Sequence, residues 1–354
     1  MKVLSLFDGI SSGRLALERA GIPVEKYYAS EIDKYAIQVA QKNYPDTIQV
    51  GDVNKLNYLE LLDVDMIIGG SPCQDLSIAK QNRQGLRGER SGLFWKYVEA
   101  LEVIHPKWFL LENVASMRNE DRDAITATLK KIYPETECIM INSALVSAQQ
   151  RKRYYWTNWH VEQPQDKGIL LKDILENGES LNHKSHCLDA NYHKGTSLEH
   201  YAEKRNRELV AVPCAMRTRE DELGKFKRVE TKDGGKANSL TSVQTDSMVA
   251  EPVRIGELNG LSKAQGNRIY SVRGKSVCLN ANGGGGGAKT GLYKVDLPDG
   301  DYIIRKLTPV ECARLQTMPD HWCDGISATQ QYKCYGNGWT CDVIAHIFKQ
   351  LPTE

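Results

Sequence analysis

DMIIGGSPCQDLS, from Asp65 to Ser77, is a short apolar run that stops at two glycines and opens onto a proline and a cysteine. Met66-Ile67-Ile68 has the unbroken apolar character of a strand buried on both faces, as in a parallel sheet. Gly69-Gly70 ends it at a tight turn. Cys73 then stands just past the carboxyl end of the strand, the edge along which open α/β sheets form their ligand crevices. Pro72 fixes its own φ and pushes Ser71 towards extended geometry, so the thiol rides on a stiff backbone. A lone cysteine is more often a buried structural thiol. The rest of the chain has to decide between the two.

Working outward, residues 1–160 alternate strand and helix. Strands are predicted at Val3–Phe7, Tyr27–Ser30, Met66–Ile68 and Trp108–Leu111, with a short one ending at Asp52. Helices are predicted at Arg14–Ala20, stopped by Gly21, and at Lys34–Asn43, Leu93–Ile104 and Arg122–Ile132. Leu93, Phe94, Tyr97, Val98, Leu101 and Ile104 make one apolar helical face. A repeated βα pattern of this kind implies a doubly wound, mostly parallel sheet.

Several polar groups fall at the expected strand ends. In LSLFDGISSG, Leu4 to Gly13, a strand runs into a glycine turn and a helix start, where backbone N–H groups can face a carboxylate or phosphate. Glu31, at the end of the second strand, suits two ribose hydroxyls. Asp52 can accept from an adenine amino group. In FLLENVASM, Phe109 to Met117, Glu112 and Asn113 follow apolar residues, where a carboxylate is costly unless used; a helix cap or an ion pair is the plainer account. Gln149-x-Arg151-x-Arg153 places both arginines on one side of an extended segment, although a solvated basic run would look the same.

Between Val161 and Gly300 the alternation stops, and 21 Lys and Arg stand against 19 Asp and Glu. KSHCLDA at Lys184, KANSLTS at Lys236 and KSVCLNA at Lys275 form a faint repeat, each read as a strand entry. A small β-rich domain with one helix near Leu198–Leu209 is expected, and Gly283–Gly287 is read as a loop. After Tyr302 the globular pattern returns. Thr308-Pro-Val-Glu311 is a capping box with proline at the first helical position, opening a helix through Gln316. YGNGWTCDVIAHIF, Tyr335 to Phe348, is read as a turn and then a helix with Val343, Ile344, Ile347 and Phe348 inward.

Composition bounds the class. The chain has 354 residues, 41% hydrophobic and 26% charged, and no apolar run long enough to span a bilayer, so a cytoplasmic or nuclear protein is expected. Nine cysteines without a Cys-x-x-Cys pair point to reduced thiols, and Cys312, His321, Cys323 and Cys334 match no common zinc spacing, so no metal is expected. A net charge of +1 carries no global nucleic-acid signature. From Asp75 to Lys96, however, five basic residues face two acidic ones, and this segment could lie along a phosphate backbone or be an ordinary solvated loop.

The motifs LFDGI, SPCQDLS, ENV, Gln149-x-Arg151-x-Arg153, RLQTMP and YGNGW follow one another in the order of the DNA cytosine-5 methyltransferases, which the chain resembles. Pro-Cys-Gln is that family's nucleophile signature. Leu76, LFDGI and Trp339 resemble the eukaryotic de novo enzymes, whereas many members carry Asp at the place of Ser5 and Gly-Gly at that of Ser11-Ser12. The likeness is strong over residues 1–160 and 300–354 and weak between them. It implies a class I S-adenosylmethionine-dependent, Rossmann-like domain (1–160 plus 301–354) and a smaller β-rich target-recognition domain (161–300).

The resemblance further implies Cys73 as nucleophile, Glu112 at ring nitrogen 3, Arg153 on the ring oxygen, and Arg151 steadying the cysteine loop and a nearby phosphate. S-adenosyl-L-methionine would be held by Phe7, Asp8, Gly9, Ile10, Ser11, Ser12, Glu31, Ile32, Asp52, Val53, Pro72, Asn337, Gly338 and Trp339. The implied substrate is a cytosine flipped out of double-stranded DNA, with a CG dinucleotide suggested. Without a chromatin-reading domain ahead of Met1, a prokaryotic or phage enzyme, cytoplasmic and away from membranes, is expected. No residue bears on a cognate restriction endonuclease. A transfer-RNA cytosine methyltransferase would carry Cys-Phe-Thr, and a silent regulatory relative would lack Pro-Cys or Glu-Asn-Val. An NAD enzyme would want Gly-x-Gly-x-x-Gly, and a DNA-binding module without chemistry would not need Glu31 and Asp52.

Overall fold

The computed structural model describes residues 1–71, 92–178, 180, 183–194, 209–221, 224–231, 254–257, 268–271, 292–294 and 301–352. Pro72, Cys73, the basic stretch from Lys80 to Arg90, most of the helix expected near Leu198 and the run Gly283–Gly287 lie outside these residues. Two compact units are distinguished. One comprises Met1–Ile169, Cys187–His193 and Cys312–Glu354; the other comprises Leu170–His186 and Lys194–Glu311.

The first unit is built on seven strands: β1 (Lys2–Leu6), β2 (Lys26–Ser30), β3 (Ile48–Gln49), β4 (Met66–Gly69), β5 (Trp108–Val114), β6 (Glu137–Asn142) and β7 (Lys152–Thr157). Their order is β3-β2-β1-β4-β5-β7-β6. The pairs among β1 to β5 are parallel, and β7 runs antiparallel to both β5 and β6. The chain winds outward from β1 through β2 to β3, then returns to the other side of β1 at β4. That reversal creates a crevice at the carboxyl ends of β1 and β4. The sheet is the mostly parallel, doubly wound one that the apolar runs imply. Val3, Leu4, Leu6, Ile67, Ile68, Phe109, Leu110 and Leu111 are fully buried, as strands covered on both faces require.

Among the described residues the α-helices are α1 (Ser12–Arg19), α2 (Lys34–Asn43), α3 (Gly92–Ile104), α4 (Asn119–Ile132), α5 (Pro309–Leu315), α6 (Ala328–Asn337) and α7 (Cys341–Phe348). Phe94, Tyr97, Val98, Leu101 and Ile104 bury the predicted face of α3, and the Tyr97 hydroxyl donates to the Leu110 carbonyl at 2.9 Å. The capping box forms: Thr308 N–H donates to Glu311 at 2.8 Å and Glu311 N–H donates to the Thr308 hydroxyl at 3.1 Å. Val343, Ile344, Ile347 and Phe348 are buried on α7, which lies beside α1; Arg19 pairs with Asp342 at 2.8 Å, and the Cys341 thiol donates to Ser12 O.

The elements depart from the sequence reading in several places, beginning with β6 and β7, which were not expected as strands. β5 runs on to Val114 because β7 pairs with its last residues, so Glu112 and Asn113 belong to the strand. β3 stops at Gln49, and Asp52 instead caps a 3₁₀ turn, Val53–Lys55, through Asn54 N–H at 3.0 Å. Tyr335–Asn337 complete α6, where a turn was expected. In the KSHCLDA segment there is a single bridge at Ser185 and no strand.

Among the described residues the second unit carries two three-stranded sheets. One has the order β13 (Asp301–Lys306), β8 (Leu209–Asp221), β9 (Gly224–Thr231), all antiparallel. The other joins β10 (Arg254–Glu257), β11 (Arg268–Ser271) and β12 (Leu292–Lys294). Leu209, the expected end of a helix, opens β8. Residues 187–193 belong with the first unit because its buried groups hold them: Leu188 N–H donates to Gln149 at 2.8 Å. Among the described residues no helix is long and apolar enough to cross a membrane.

Candidate active site

Strand register places the candidate residues in one row. Leu6 stands opposite both Ser30 and Gly69, and Gly69 stands opposite Leu111. The next residues along, Phe7, Glu31, Gly70 and Glu112, therefore line the same carboxyl edge of the sheet. From the other side, antiparallel pairing sets Arg153 opposite Val114 and Tyr155 opposite Glu112.

Glu112 is the centre of this edge. Its Oε1 pairs with Arg153 Nε at 2.8 Å, and its Oε2 accepts the Trp339 indole N–H at 3.2 Å. Its side chain keeps 11% of its accessible surface, so a group in the crevice can still reach it. Next to it, Asn113 donates to the Ser71 hydroxyl at 3.3 Å, fixing the backbone two residues before Cys73. Gly70 has a packing reason to be glycine: a Cβ there would lie 2.8 Å from Glu112 Oε2 and 2.9 Å from Trp339 Nε1. The sequence offered Gly70 only as a turn residue.

The two arginines of Gln149-x-Arg151-x-Arg153 part company. Arg151, 4% exposed, donates to three carbonyls: Leu188 at 3.1 Å, Gly336 at 3.4 Å and Gly338 at 2.9 Å. These bonds commit its guanidinium to backbone carbonyls; the cysteine loop it was expected to steady lies outside the described residues. Gln316 of RLQTMP reinforces the same backbone, donating to the Tyr335 carbonyl at 2.6 Å and accepting from the Thr340 hydroxyl at 2.9 Å. Both arginines also reach Cys187 Sγ, at 3.2 Å from Arg151 and 3.8 Å from Arg153. Burial pushes this thiol's pKa up, but the charges and hydrogen bonds of Arg151 and Arg153 prevail and hold it below the ordinary thiol value. Cys187 went unnoticed in the sequence because only the fold brings it to the arginines.

The residues around the β1 turn take distinct parts. Phe7 and Ser11 have positive φ (61° and 59°), a conformation that costs a non-glycine residue energy. The Asp8 side chain turns inward, accepting the Tyr27 hydroxyl at 2.8 Å and the Ser11 hydroxyl at 2.6 Å. Burial raises the Asp8 carboxyl above its usual range, against the opposing effect of these hydrogen bonds. Because Ser11 donates to Asp8, it does not cap α1, whose first turn has no side-chain cap. Ile10 and Val53 are buried. Asn337 is exposed at the end of α6, and Gly338 leads on to Trp339.

Three observations at this edge fit a bound nucleoside cofactor. Ser12 Oγ, at the uncapped start of α1, is buried with no hydrogen-bond partner. A Cβ at Gly9 would meet nothing within 4 Å, so the turn faces open space. Ile32 is 76% exposed, an apolar surface suited to a flat ring. Glu31 accepts from Gly9 N–H at 2.8 Å, Ile32 N–H at 2.7 Å and Asp33 N–H at 2.9 Å. A carboxylate offers about four acceptor sites, so acceptor capacity remains on Glu31 Oε2. Asp52 keeps its second carboxylate oxygen outside the capping bonds it makes to Asn54.

An open α/β sheet with a paired, partly accessible carboxylate at its switch point is the setting of a ligand-binding enzyme. Solved structures agree on the fold. An Entamoeba histolytica methyltransferase superposes with a TM-score of 0.58 over 99% of this chain and 97% of that one, at 15% identity. A putative DNA modification methyltransferase from an Escherichia coli prophage gives 0.55 over 99% and 98%, at 19% identity. Residues 1–353 match the family model described as C-5 cytosine-specific DNA methylase. The orphan methyltransferase M.SPRI of Bacillus phage SPR is 27% identical over 441 residues, spanning 99% of this chain and 97% of that protein. The type II methyltransferase M.HhaI of Haemophilus parahaemolyticus is 27% identical over 362 residues, spanning 98% and 93%. The chain belongs to the C-5 cytosine-specific DNA methylase family, and it is a DNA (cytosine-5-)-methyltransferase.

Proposed function

We propose that the chain methylates carbon 5 of a cytosine flipped out of duplex DNA, using Cys73 as a covalent nucleophile and S-adenosylmethionine as methyl donor. The observation that carries this is the single row at the sheet edge. Glu112, held by Arg153, stands beside Gly70-Ser71, which leads directly to Pro72-Cys73.

Carbon 5 of cytosine is too poor a nucleophile to take a methyl group unaided. Addition of the Cys73 thiolate at carbon 6 forms a sulfur–carbon bond and turns the ring into an enamine. Glu112 faces ring nitrogen 3 and the exocyclic amine and keeps that nitrogen protonated as the thiolate adds. Arg153, which pairs with Glu112 through Nε and also donates to the Lys152 carbonyl and Cys187, stands where a guanidinium N–H meets the ring oxygen. Arg151 acts at one remove by holding the Gly336–Gly338 backbone. S-adenosylmethionine supplies the electrophilic methyl group. Its carboxylate suits the first turn of α1 and the Ser12 hydroxyl, its ribose the remaining acceptor capacity of Glu31, and its adenine Ile32 and Asp52. Reaching a carbon inside the base stack requires flipping the nucleotide out.

The segment 161–300, which holds none of the residues assigned to chemistry or cofactor, is assigned to target recognition. Similarity to phage and bacterial relatives supports a prokaryotic or phage setting and a cytoplasmic location.

A duplex whose target cytosine carries fluorine at carbon 5 tests the mechanism. After methyl transfer the normal intermediate loses the carbon 5 proton and expels Cys73, whereas fluorine cannot leave as a cation and elimination stalls. A covalent protein–DNA adduct is expected only with S-adenosylmethionine present, and Cys73→Ala abolishes it. An adduct that survives in Cys73→Ala overturns the nucleophile. An adduct on fluorinated transfer RNA but not on DNA overturns the substrate.

A further inference from the structure

The geometry points to Trp339 as a positioning residue for the catalytic carboxylate, in addition to any contact it makes with the cofactor; this rests on the function proposed above. Three observations carry it. The Trp339 indole N–H donates to Glu112 Oε2 at 3.2 Å, while Arg153 holds Oε1 at 2.8 Å, so each oxygen of the carboxylate has its own donor. Trp339 is itself fixed at both ends. Its ring edge lies over Gly13, where a Cβ would come within 3.3 Å of it, and the preceding Gly338 carbonyl is gripped by Arg151 at 2.9 Å. Finally, the chain gives up a side chain at Gly70 to make room, since a Cβ there would collide with both partners of the bond.

The result is a closed circuit. Arg151 holds Gly338, Trp339 follows and reaches Glu112, and Arg153, two residues after Arg151, returns to Glu112. One donor on a carboxylate leaves it free to turn about χ3, whose torsional wells are broad. Two donors on opposite oxygens fix the plane of the group, and therefore the direction of the lone pair offered to a base. Trp339 also sits beside the uncapped start of α1, so its indole spans from the cofactor side of the crevice to the base side. A serine or valine side chain, with neither the length nor an indole N–H, could not make this bond.

Phenylalanine separates the two duties, because it keeps a ring over Gly13 and removes the N–H. For Trp339→Phe we expect cofactor affinity by calorimetry, and KM for the cofactor, to stay within about threefold. The turnover number should fall roughly tenfold, the scale of a sub-ångström misplacement of a reacting group. A merely structural role would lower kcat and cofactor affinity together, or lower the melting temperature without this split. The decisive comparison is a double-mutant cycle with Glu112→Gln. If the N–H acts through the carboxylate, Trp339→Phe costs less than about twofold in the Glu112→Gln background. The full tenfold loss in both backgrounds would overturn the inference, as would wild-type turnover in Trp339→Phe. Either result leaves the proposed function intact, because that depends on whether the wild-type chain produces 5-methylcytosine in DNA and forms the Cys73 adduct.

Discussion

Replacing Gly70 by alanine adds one methyl group at the tightest point of the site. Gly70 lies outside the left-handed region, so its backbone accepts alanine, and any penalty comes from the added atom. That atom would stand 2.8 Å from Glu112 Oε2 and 2.9 Å from Trp339 Nε1, against at least 3.4 Å for an ordinary contact. Both neighbours have to retreat by about half an ångström. Neither does so freely, because Arg153 holds the carboxylate and Arg151 holds the backbone before the indole. Overpacking of this kind costs about 1–3 kcal/mol of stability. A misplacement of 1 Å near the reacting atoms costs up to roughly 10²-fold in rate, so half of that predicts about a tenfold loss in turnover. Transfer of a radiolabelled methyl group to DNA under saturating cofactor measures the turnover, and thermal unfolding measures the stability. Gly70→Ala enzyme with turnover within twofold of wild type would show that the crowding around Glu112 is not real.

Two further substitutions test the cofactor edge. Glu31→Gln keeps an acceptor for Ile32 and Asp33 N–H but removes the charge, and S-adenosylmethionine affinity should fall about tenfold by calorimetry, the scale of one hydrogen bond to a charged group; unchanged affinity would remove Glu31 from the ribose. Asp8, whose folded pKa is raised by burial, adds most to stability below its unfolded value of 3.8 and loses that contribution as pH rises through the folded value. Asp8→Asn cannot ionise, so in urea unfolding it should gain stability relative to wild type between pH 4 and pH 8, and a constant or falling difference would contradict the buried-charge account.

Five of the seven strands of the main sheet, and the acids at their ends, are legible in the amino-acid sequence. Apolar runs at Val3, Met66 and Trp108, each ending in glycine or a lone acid, are local signals, because a strand covered on both faces has no other composition available. Glu112 stood out because a carboxylate directly after a buried run must be paired or used, and Glu31 because it ends the second strand. The Thr308–Glu311 capping box was equally legible, since donor and acceptor lie three residues apart.

How those residues are shared out depends on long-range packing. Arg151 and Arg153 look alike in sequence, two residues apart and on one side of the chain. Packing sends Arg151 to three buried carbonyls and leaves Arg153 on Glu112. The same is true of Gly70, whose lack of a side chain serves Glu112, 42 residues later, and Trp339, another 227 beyond that. Cys187 acquires its lowered pKa from arginines 36 and 34 residues away. Strand periodicity and capping are set by neighbours within a few positions, and a sequence records them. A hydrogen bond between Trp339 and Glu112 exists only because β5 and the segment after α6 meet at one sheet edge, and no local pattern encodes that meeting.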